Sequence, residues 1–249
     1  MQHYAIEEAY EGLHVEGRLC RALFGLLLWD DVLFRDCENA FFTTHQDCPA
    51  DLHGRPGEFV TNRQNALLCR LSEISNMTAE TLLTELSNSW KAHFGSECQG
   101  VRWPAVVHDD NDVTSESNEN DSIAHLSVLQ CAAVCIGGNA LSAIFLRLAW
   151  NFSHFSGGMP DLFLWRVEVY DESVKDWKPW SNSSLKHLLS SSSEFRLPEK
   201  EKRVRYGSAF VEVKGPRDNL SPRQVLWLKI LESEANLRAE VCRVDEPKI

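Results

Sequence analysis

Apolar residues recur at helical spacing near the start of the chain, between residues 13 and 34. They are Leu19, Leu23, Leu26, Leu27 and Leu33. Residues at this spacing share one face, so the segment is predicted to form a helix with a buried side. Glu16 lies three residues before Leu19 and is therefore expected to face inward. A buried carboxylate needs a basic side chain or a metal ion as its partner.

Further helices are predicted in the middle of the chain. Apolar positions repeat at helical spacing in residues 65–74 and 78–94, and Thr78 is a candidate N-cap for the second helix. Residues 126–146 carry no charge and are long enough to suggest a membrane helix, but Gly137 and Gly138 interrupt them. Two buried helices joined by a glycine turn explain this run better.

The second half of the chain contains strand patterns. Residues 162–165 form a short apolar run, and residues 239–244 are predicted to be a closing strand. Side chains alternate across a strand, so in residues 209–214 Glu212 and Lys214 share one face while the valines point the other way.

These strands bring together groups that suit phosphodiester hydrolysis. Asp161 stands at the mouth of the first strand, and Glu212 lies on the strand predicted to be its neighbour. Two such carboxylates can hold Mg²⁺ through hard oxygen ligands, with the Val213 carbonyl as a further ligand. Lys214 would lie beside the bound water, where its ammonium group orients the nucleophile or stabilises negative charge on the phosphoryl oxygens.

The residues Ser221-Pro222-Arg223-Gln224 have two interpretations. Ser221 as N-cap, Pro222 at the first helical position and Gln224 at the third form a capping box. The second interpretation, a role for Gln224 at an active site, is implied only by the family resemblance given below. The helix that follows is predicted to pack through four apolar side chains, namely Val225, Leu226, Leu228 and Leu231.

Three polar stretches are predicted to be loops. Residues 36–60 are rich in Cys, His, Pro and Gly, and residues 109–121 are acidic and polar. A serine-rich stretch, residues 181–193, is expected to be an exposed and partly disordered loop.

Charge is unevenly distributed along the 249 residues, of which 43% are hydrophobic and which we interpret as one domain. The formal net charge of −11 disfavours long-range attraction to a polyanion. However, residues 1–125 hold 8 basic and 21 acidic residues, whereas residues 126–249 hold 17 and 15. One basic group is either a phosphate-facing stripe or a solvated loop. It comprises Lys200, Lys202, Arg203, Arg205, Arg217 and Arg223.

The eight cysteines include no CxxC pair, which favours free thiols and a reducing compartment. Cys37, His45, Cys48 and His53 do not have the spacing of a zinc finger or ribbon. The first residues lack the basic and apolar regions of a signal peptide, so secretion by that route is not expected.

Several of these segments together resemble one nuclease family. The Pro160-Asp161 and Glu212-x-Lys214 residues resemble the PD-(D/E)xK nuclease superfamily, and the surrounding sequence resembles its VRR-NUC branch, closest to the C-terminal nuclease domain of Fanconi-associated nuclease. The matching segments are Leu13-His14-Val15-Glu16-Gly17, Ile136-Gly137-Gly138, Gly157-Gly158-Met159-Pro160-Asp161-Leu162 and Val211-Glu212-Val213-Lys214-Gly215-Pro216.

The resemblance implies an α/β fold with a mixed central sheet flanked by helices. Residues 1–249 would form a single nuclease domain with a helical insertion at about 36–125 and a serine-rich loop insertion at about 171–207. By analogy the catalytic residues are Asp161, Glu212, Lys214 and Gln224. The metal ligands would be Glu16, Asp161, Glu212 and Val213, binding Mg²⁺ with Mn²⁺ as a substitute.

The implied activity is cleavage of DNA at 5′ flaps and in the 5′ to 3′ exonucleolytic direction, leaving 5′-phosphate ends, during interstrand crosslink repair in the nucleus. The chain would act as a monomer on flap or branched DNA, and it would not bind a membrane. Further DNA-binding and helical-repeat domains, and repair-protein partners, belong to the full enzyme. Two alternatives remain, a dimeric four-way-junction resolvase and a catalytically silent DNA-binding or protein-docking module.

Overall fold

The computed structural model describes residue 4 and residues 9–104, 119–190 and 194–244. Its strands are β1 (Glu11–His14), β2 (Leu162–Asp171), β3 (Asp176–Pro179), β4 (Val204–Lys214) and β5 (Arg238–Arg243). Its α-helices are α1 (Arg18–Leu28), α2 (Glu58–Asn62), α3 (Gln64–Ser75), α4 (Ala79–His93), α5 (Leu126–Ile136), α6 (Gly138–Trp150), α7 (Phe152–Phe155), α8 (Leu185–Ser190) and α9 (Pro222–Ser233). The α/β prediction is confirmed.

Within the described residues the five strands form one mixed sheet built around β2. β4 pairs antiparallel along one edge of β2, and β5 pairs parallel with β4. β1 and β3 pair antiparallel with opposite ends of the other edge, where Leu13 lies opposite Phe163 and Tyr170 opposite Trp177. The predicted mixed sheet with flanking helices is therefore present.

The start of the chain differs from the predicted helix. Residues 11–14 form β1, and α1 begins only at Arg18. Glu16 and Gly17 have φ angles of 43° and 77°, which a right-handed helix cannot include. Glu16 is consequently exposed in a turn, and the prediction that it faces inward on a helix is wrong.

The glycine turn between the two apolar helices is confirmed. α5 and α6 are bent by 102° at Gly137, whose φ is 84°. Gln130, the polar residue inside α5, is fully buried and bonded, donating to Ser87 Oγ at 2.8 Å and accepting from the Phe195 amide at 2.8 Å. No single helix among the described residues is long and apolar enough to span a membrane. Only this bent pair reaches that length and hydropathy, and only when its two helices are counted together.

One large hydrophobic core joins the helices to the sheet. It includes Phe163 on β2, Leu19 and Leu23 on α1, Leu71 on α3 and Leu86 on α4. The Thr78 N-cap of α4 is confirmed, since its side chain accepts from the Thr81 amide at 3.3 Å. All eight cysteines are free thiols, as predicted.

The serine-rich stretch is folded where the structure describes it, so the prediction of an exposed loop is wrong there. Ser181–Ser183 form a 3-10 turn, followed by α8. The Trp165 indole donates to the Ser183 carbonyl at 2.8 Å, and Ser127 Oγ donates to the Leu188 carbonyl at 2.7 Å. Leu188 itself is 1% exposed. Low sequence complexity was misleading because buried Leu188 and two hydrogen bonds from side chains elsewhere in the chain to backbone carbonyls anchor the segment. Residues 191–193 lie outside the described residues, as does most of the predicted acidic loop at 109–121.

α9 packs through a different face from the predicted one. Val225 and Leu226 are exposed, whereas Trp227, Ile230 and Leu231 are buried. The buried positions follow the i, i+3, i+4 spacing of a helix face, with Trp227 at their start. Of the side chains predicted to pack, Leu228 is half-buried against the core and Leu231 is fully buried.

Candidate active site

The site lies where β2 begins and β4 ends. Pairing between the two strands starts at Leu162 opposite Val211, so Asp161 and residues 212–214 project beyond it at one end of the sheet. Asp161 Oδ2 accepts a hydrogen bond of 2.8 Å from the Val213 amide. The Asp161 carbonyl accepts from the amides of Val15 at 2.9 Å and Glu16 at 3.3 Å. Asp161 thus connects β4 to the turn that carries Glu16.

Glu212 is the most buried acidic residue of the site, with none of its side chain exposed. Its Oε1 accepts from Lys214 Nζ at 2.7 Å and from Gln224 Nε2. Glu212 Oε2 is buried and makes no hydrogen bond with any described residue. The Glu212–Lys214 contact agrees with the predicted shared face of the strand.

Burial and charge alter the proton affinities of this pair. Burial raises the pKa of Glu212, the Lys214 hydrogen bond opposes this, and the charge of Asp161 adds to it. In return, the hydrogen bond to Glu212 raises the pKa of Lys214. Lys214 therefore stays an ammonium ion at neutral pH.

Gln224 completes the predicted capping box and also contacts Glu212. Its Oε1 accepts from the Ser221 amide at 2.9 Å and its own amide donates to Ser221 Oγ, which completes the capping box. The Nε2 of the same side chain donates to Glu212 Oε1. Capping therefore fixes the amide group that holds the buried carboxylate.

A second group of ligand atoms lies beside Asp161. Ligand atoms of His14, Glu16 and Asp161 lie within 4.8 Å of one another. Glu16 is therefore close to Asp161 as predicted, although by way of a strand and turn rather than a helix. The sequence analysis does not identify His14, because the predicted helix begins at residue 13. In the structure His14 is the last residue of β1 and lies opposite Leu162, next to Asp161.

The turn before α1 needs an unusual backbone. A non-glycine residue rarely adopts the left-handed conformation found at Glu16. The Arg18 side chain holds this turn by donating to the His14 carbonyl at 3.0 Å and the Val15 carbonyl at 3.2 Å. At Gly17 (φ 77°) an added Cβ would lie 3.1 Å from Met159, so the close approach of this turn to the loop before Asp161 requires glycine.

The donor set fits a divalent cation. Within one group, Glu16 and Asp161 supply carboxylate oxygens and His14 supplies a ring nitrogen. Glu212 lies outside this group, but its buried Oε2 accepts no hydrogen bond from the described residues. Such an unpaired buried oxygen is costly unless a cation or water satisfies it. The Val213 amide donates a hydrogen bond to Asp161. The Val213 carbonyl remains a predicted metal ligand.

Other candidate sites do not assemble in the same way. Of the basic stripe, Lys202 pairs with Glu199, and Arg203 and Arg205 pair with Glu172 and Glu168 at 3.1 and 3.2 Å. For these three residues the ion pairs favour the solvated-loop interpretation. In the described parts of the chain, the one group of His, Cys, Asp and Glu residues arranged for a metal is that around Asp161, so the four residues considered for zinc do not form a site.

Comparison with known proteins identifies the family. The VRR-NUC domain matches residues 115–246. The chain is 32% identical to a Fanconi-associated nuclease 1 homolog of Oryza sativa subsp. japonica over 98% of this chain and 20% of that protein. It is 30% identical to Fanconi-associated nuclease 1 of Homo sapiens over 98% of this chain and 18% of that protein.

A similar fold occurs in the crystal structure of paFAN1 bound to 5′-flap DNA with a 1-nucleotide flap and a gap. The TM-score is 0.63 and the identity 22%, over 100% of this chain and 36% of that chain. The chain spans about a fifth of the length of the curated relatives described above.

Proposed function

The chain belongs to the VRR-NUC family, and from this premise we propose that it is the catalytic part of a metal-dependent nuclease that hydrolyses DNA phosphodiester bonds. The observation that carries the proposal is the buried Glu212 carboxylate, held by Lys214 and Gln224 with one oxygen left unbonded. A structural salt bridge alone would leave no reason for this oxygen to be buried without a hydrogen-bond donor.

The proposed cofactor is Mg²⁺, with Mn²⁺ as a substitute. Glu16, Asp161 and Glu212 would hold it, together with His14 and the Val213 carbonyl. When bound, such an ion supplies a hydroxide nucleophile at neutral pH and neutralises charge on the phosphate.

The chain's own residues orient this chemistry. The Val213 amide fixes one oxygen of Asp161, and Gln224 fixes one oxygen of Glu212. Each bond leaves the other oxygen of that carboxylate available as a ligand. Lys214 keeps its proton because Glu212 raises its pKa. Its ammonium group then donates to the attacking water or to a phosphoryl oxygen, where negative charge develops.

The proposed substrate is flap or branched DNA, cut at 5′ flaps and in the 5′ to 3′ exonucleolytic direction to leave 5′-phosphate ends. Support comes from relatives named Fanconi-associated nuclease 1 and from the fold shared with paFAN1 bound to 5′-flap DNA. We further propose a nuclear role in interstrand crosslink repair as a monomer. The relatives are about five times longer, which leaves room for additional DNA-binding and helical-repeat domains and for protein partners.

A cleavage panel tests this function. The purified chain is incubated with 5′-flap, 3′-flap, four-way-junction and linear duplex DNA in Mg²⁺, in Mn²⁺ and in EDTA. Cleavage of the 5′ flap in either metal and none in EDTA is expected, and Lys214→Met should abolish most of it. Lys229→Met, which removes an exposed lysine from α9, is the matched control. Equal cleavage by wild type and Lys214→Met, or cleavage in EDTA, would refute the proposal.

A further inference from the structure

A cavity lined by three arginines lies next to the turn that carries Glu16. Its volume is about 240 Å³, and its lining residues are Arg18, Arg21, Gly100, Val101, Arg102 and Ile123. None of these residues is acidic, so the arginines give the cavity its charge. Arg18 and Arg21 are half-buried in the first turn of α1, and Arg102 is exposed at the rim.

The charges of Arg18 and Arg102 both act on Arg21. Burial lowers the pKa of Arg21, and the neighbouring charges of Arg18 and Arg102 lower it further. Keeping three cations around one cavity costs electrostatic free energy, which an anion in the cavity would offset. The negative charge of Glu16 raises the pKa of Arg21, so the cavity lies within electrostatic reach of the candidate metal site.

Backbone hydrogen bonds hold two of the arginines in place. Arg18 donates to the carbonyls of His14 and Val15, and Arg21 Nη1 donates to the Ser156 carbonyl. These carbonyls belong to the segments that lead to Glu16 and Asp161, so the cavity and the site share a framework. Arg102 makes no hydrogen bond or ion pair with the described residues, and its five N–H donors can reach a ligand.

We propose that the arginine cavity binds a backbone phosphate of the nucleic-acid substrate, next to the phosphate that is cleaved. The planar fork of donors on each guanidinium matches the oxygens of a phosphate. A held phosphate beside the metal site would fix the strand in register with Glu16 and Asp161. This subsite rests on the proposed nuclease function, because its ligand is that function's substrate.

The test measures DNA binding without metal, so that its result does not depend on cleavage. A 5′-flap duplex is prepared with single neutral methylphosphonate substitutions at each backbone position around the flap junction. Affinities for the 249-residue chain are compared in EDTA among wild type, Arg102→Ala and Arg35→Ala. Arg35 is an exposed arginine beyond the other end of α1 and gives the same change in charge.

The wild type and Arg35→Ala should lose about tenfold in affinity when one particular phosphate is neutralised. Arg102→Ala should bind the unmodified DNA about tenfold more weakly and lose its sensitivity at that one position. The proposal is overturned if no position is sensitive in the wild type, or if Arg102→Ala keeps the wild-type pattern. Failure of the nuclease function would appear separately, as a lack of metal-dependent cleavage by a wild type that still shows the sensitive phosphate.

Discussion

At the scale of single residues, burial dominates the environment of Glu212. Its side chain has no exposure and one oxygen without a partner, and its pKa is raised mainly by burial. The sequence predicted its face on the strand and its neighbour Lys214 from alternation alone. It could not predict the unbonded oxygen, because that depends on where the separate helix α9 places Gln224.

The raised pKa of Glu212 predicts how stability depends on pH when metal is absent. A folded-state pKa above the unfolded value of about 4.3 favours folding below that value, and this contribution is lost as pH rises through the folded pKa. Glu212→Gln removes the effect. In EDTA, the melting temperature of wild type relative to Glu212→Gln should fall as pH rises from 4 to 8.

Glu232→Gln, at an exposed position on α9, is the control and should follow the wild-type curve. If the melting temperatures of wild type and Glu212→Gln changed in parallel from pH 4 to 8, burial would not raise the pKa of Glu212.

Glu16 provides a second prediction at this scale. Its side chain is 62% exposed and its nearest basic group is His14 at 3.6 Å, so it is not part of a buried salt bridge. Glu16→Gln should weaken Mn²⁺ binding by about tenfold or more in titration calorimetry, because a charged oxygen ligand is lost, while the melting temperature stays within about 1 °C. Glu11→Gln, at the start of β1, should bind Mn²⁺ normally. Normal binding by Glu16→Gln would remove Glu16 from the ligand set.

At the scale of elements, the sequence predicted those whose pattern is local. The alternation in β4, the glycine turn between α5 and α6 and the Thr78 cap all depend on neighbouring residues, and each is present. The start of the chain was mistaken for helix because the apolar spacing of α1 was extended into β1. The strand is defined by pairing with β2, some 150 residues away, which local periodicity cannot reveal.

Shortening the buried leucine of the serine-rich segment should lower the stability of the protein measurably. Leu188 on α8 is 1% exposed and belongs to the main core. Leu188→Ala should lower the free energy of unfolding in urea by about 2–5 kcal/mol, the range for a buried leucine. Leu189→Ala, at the half-buried neighbouring position, should cost clearly less. Equal and small losses for both variants would support the exposed loop that the sequence suggested.

At the scale of the whole molecule, the net charge of −11 and the pairing of basic residues limit where the proposed DNA substrate can lie. Lys202, Arg203 and Arg205 are each paired with a glutamate. Their stretch leads into the start of β4, ten residues or about 33 Å of strand from Lys214. The charge pattern along the chain suggested a DNA path here, but sequence alone does not show which acidic side chains neutralise it.

Neutralising this stretch should therefore change the salt dependence of DNA binding only slightly. The fourfold change of Lys200, Lys202, Arg203 and Arg205 to alanine should alter the slope of log affinity against log salt by less than about one, because paired cations release few DNA counterions. Fluorescence anisotropy of a 5′-flap duplex over a salt series measures this slope. A decrease approaching four would return the stretch to the DNA path.

Asp161 and its neighbours at the end of the sheet are the proposed divalent-metal nuclease site. Its most direct test compares wild type with Asp161→Asn, measuring Mn²⁺ binding by electron paramagnetic resonance and single-turnover cleavage of a 5′-flap duplex on the same samples. The wild type should bind Mn²⁺ and cleave, whereas Asp161→Asn should fold but lose most of both. Wild-type binding and cleavage by a folded Asp161→Asn would contradict the account.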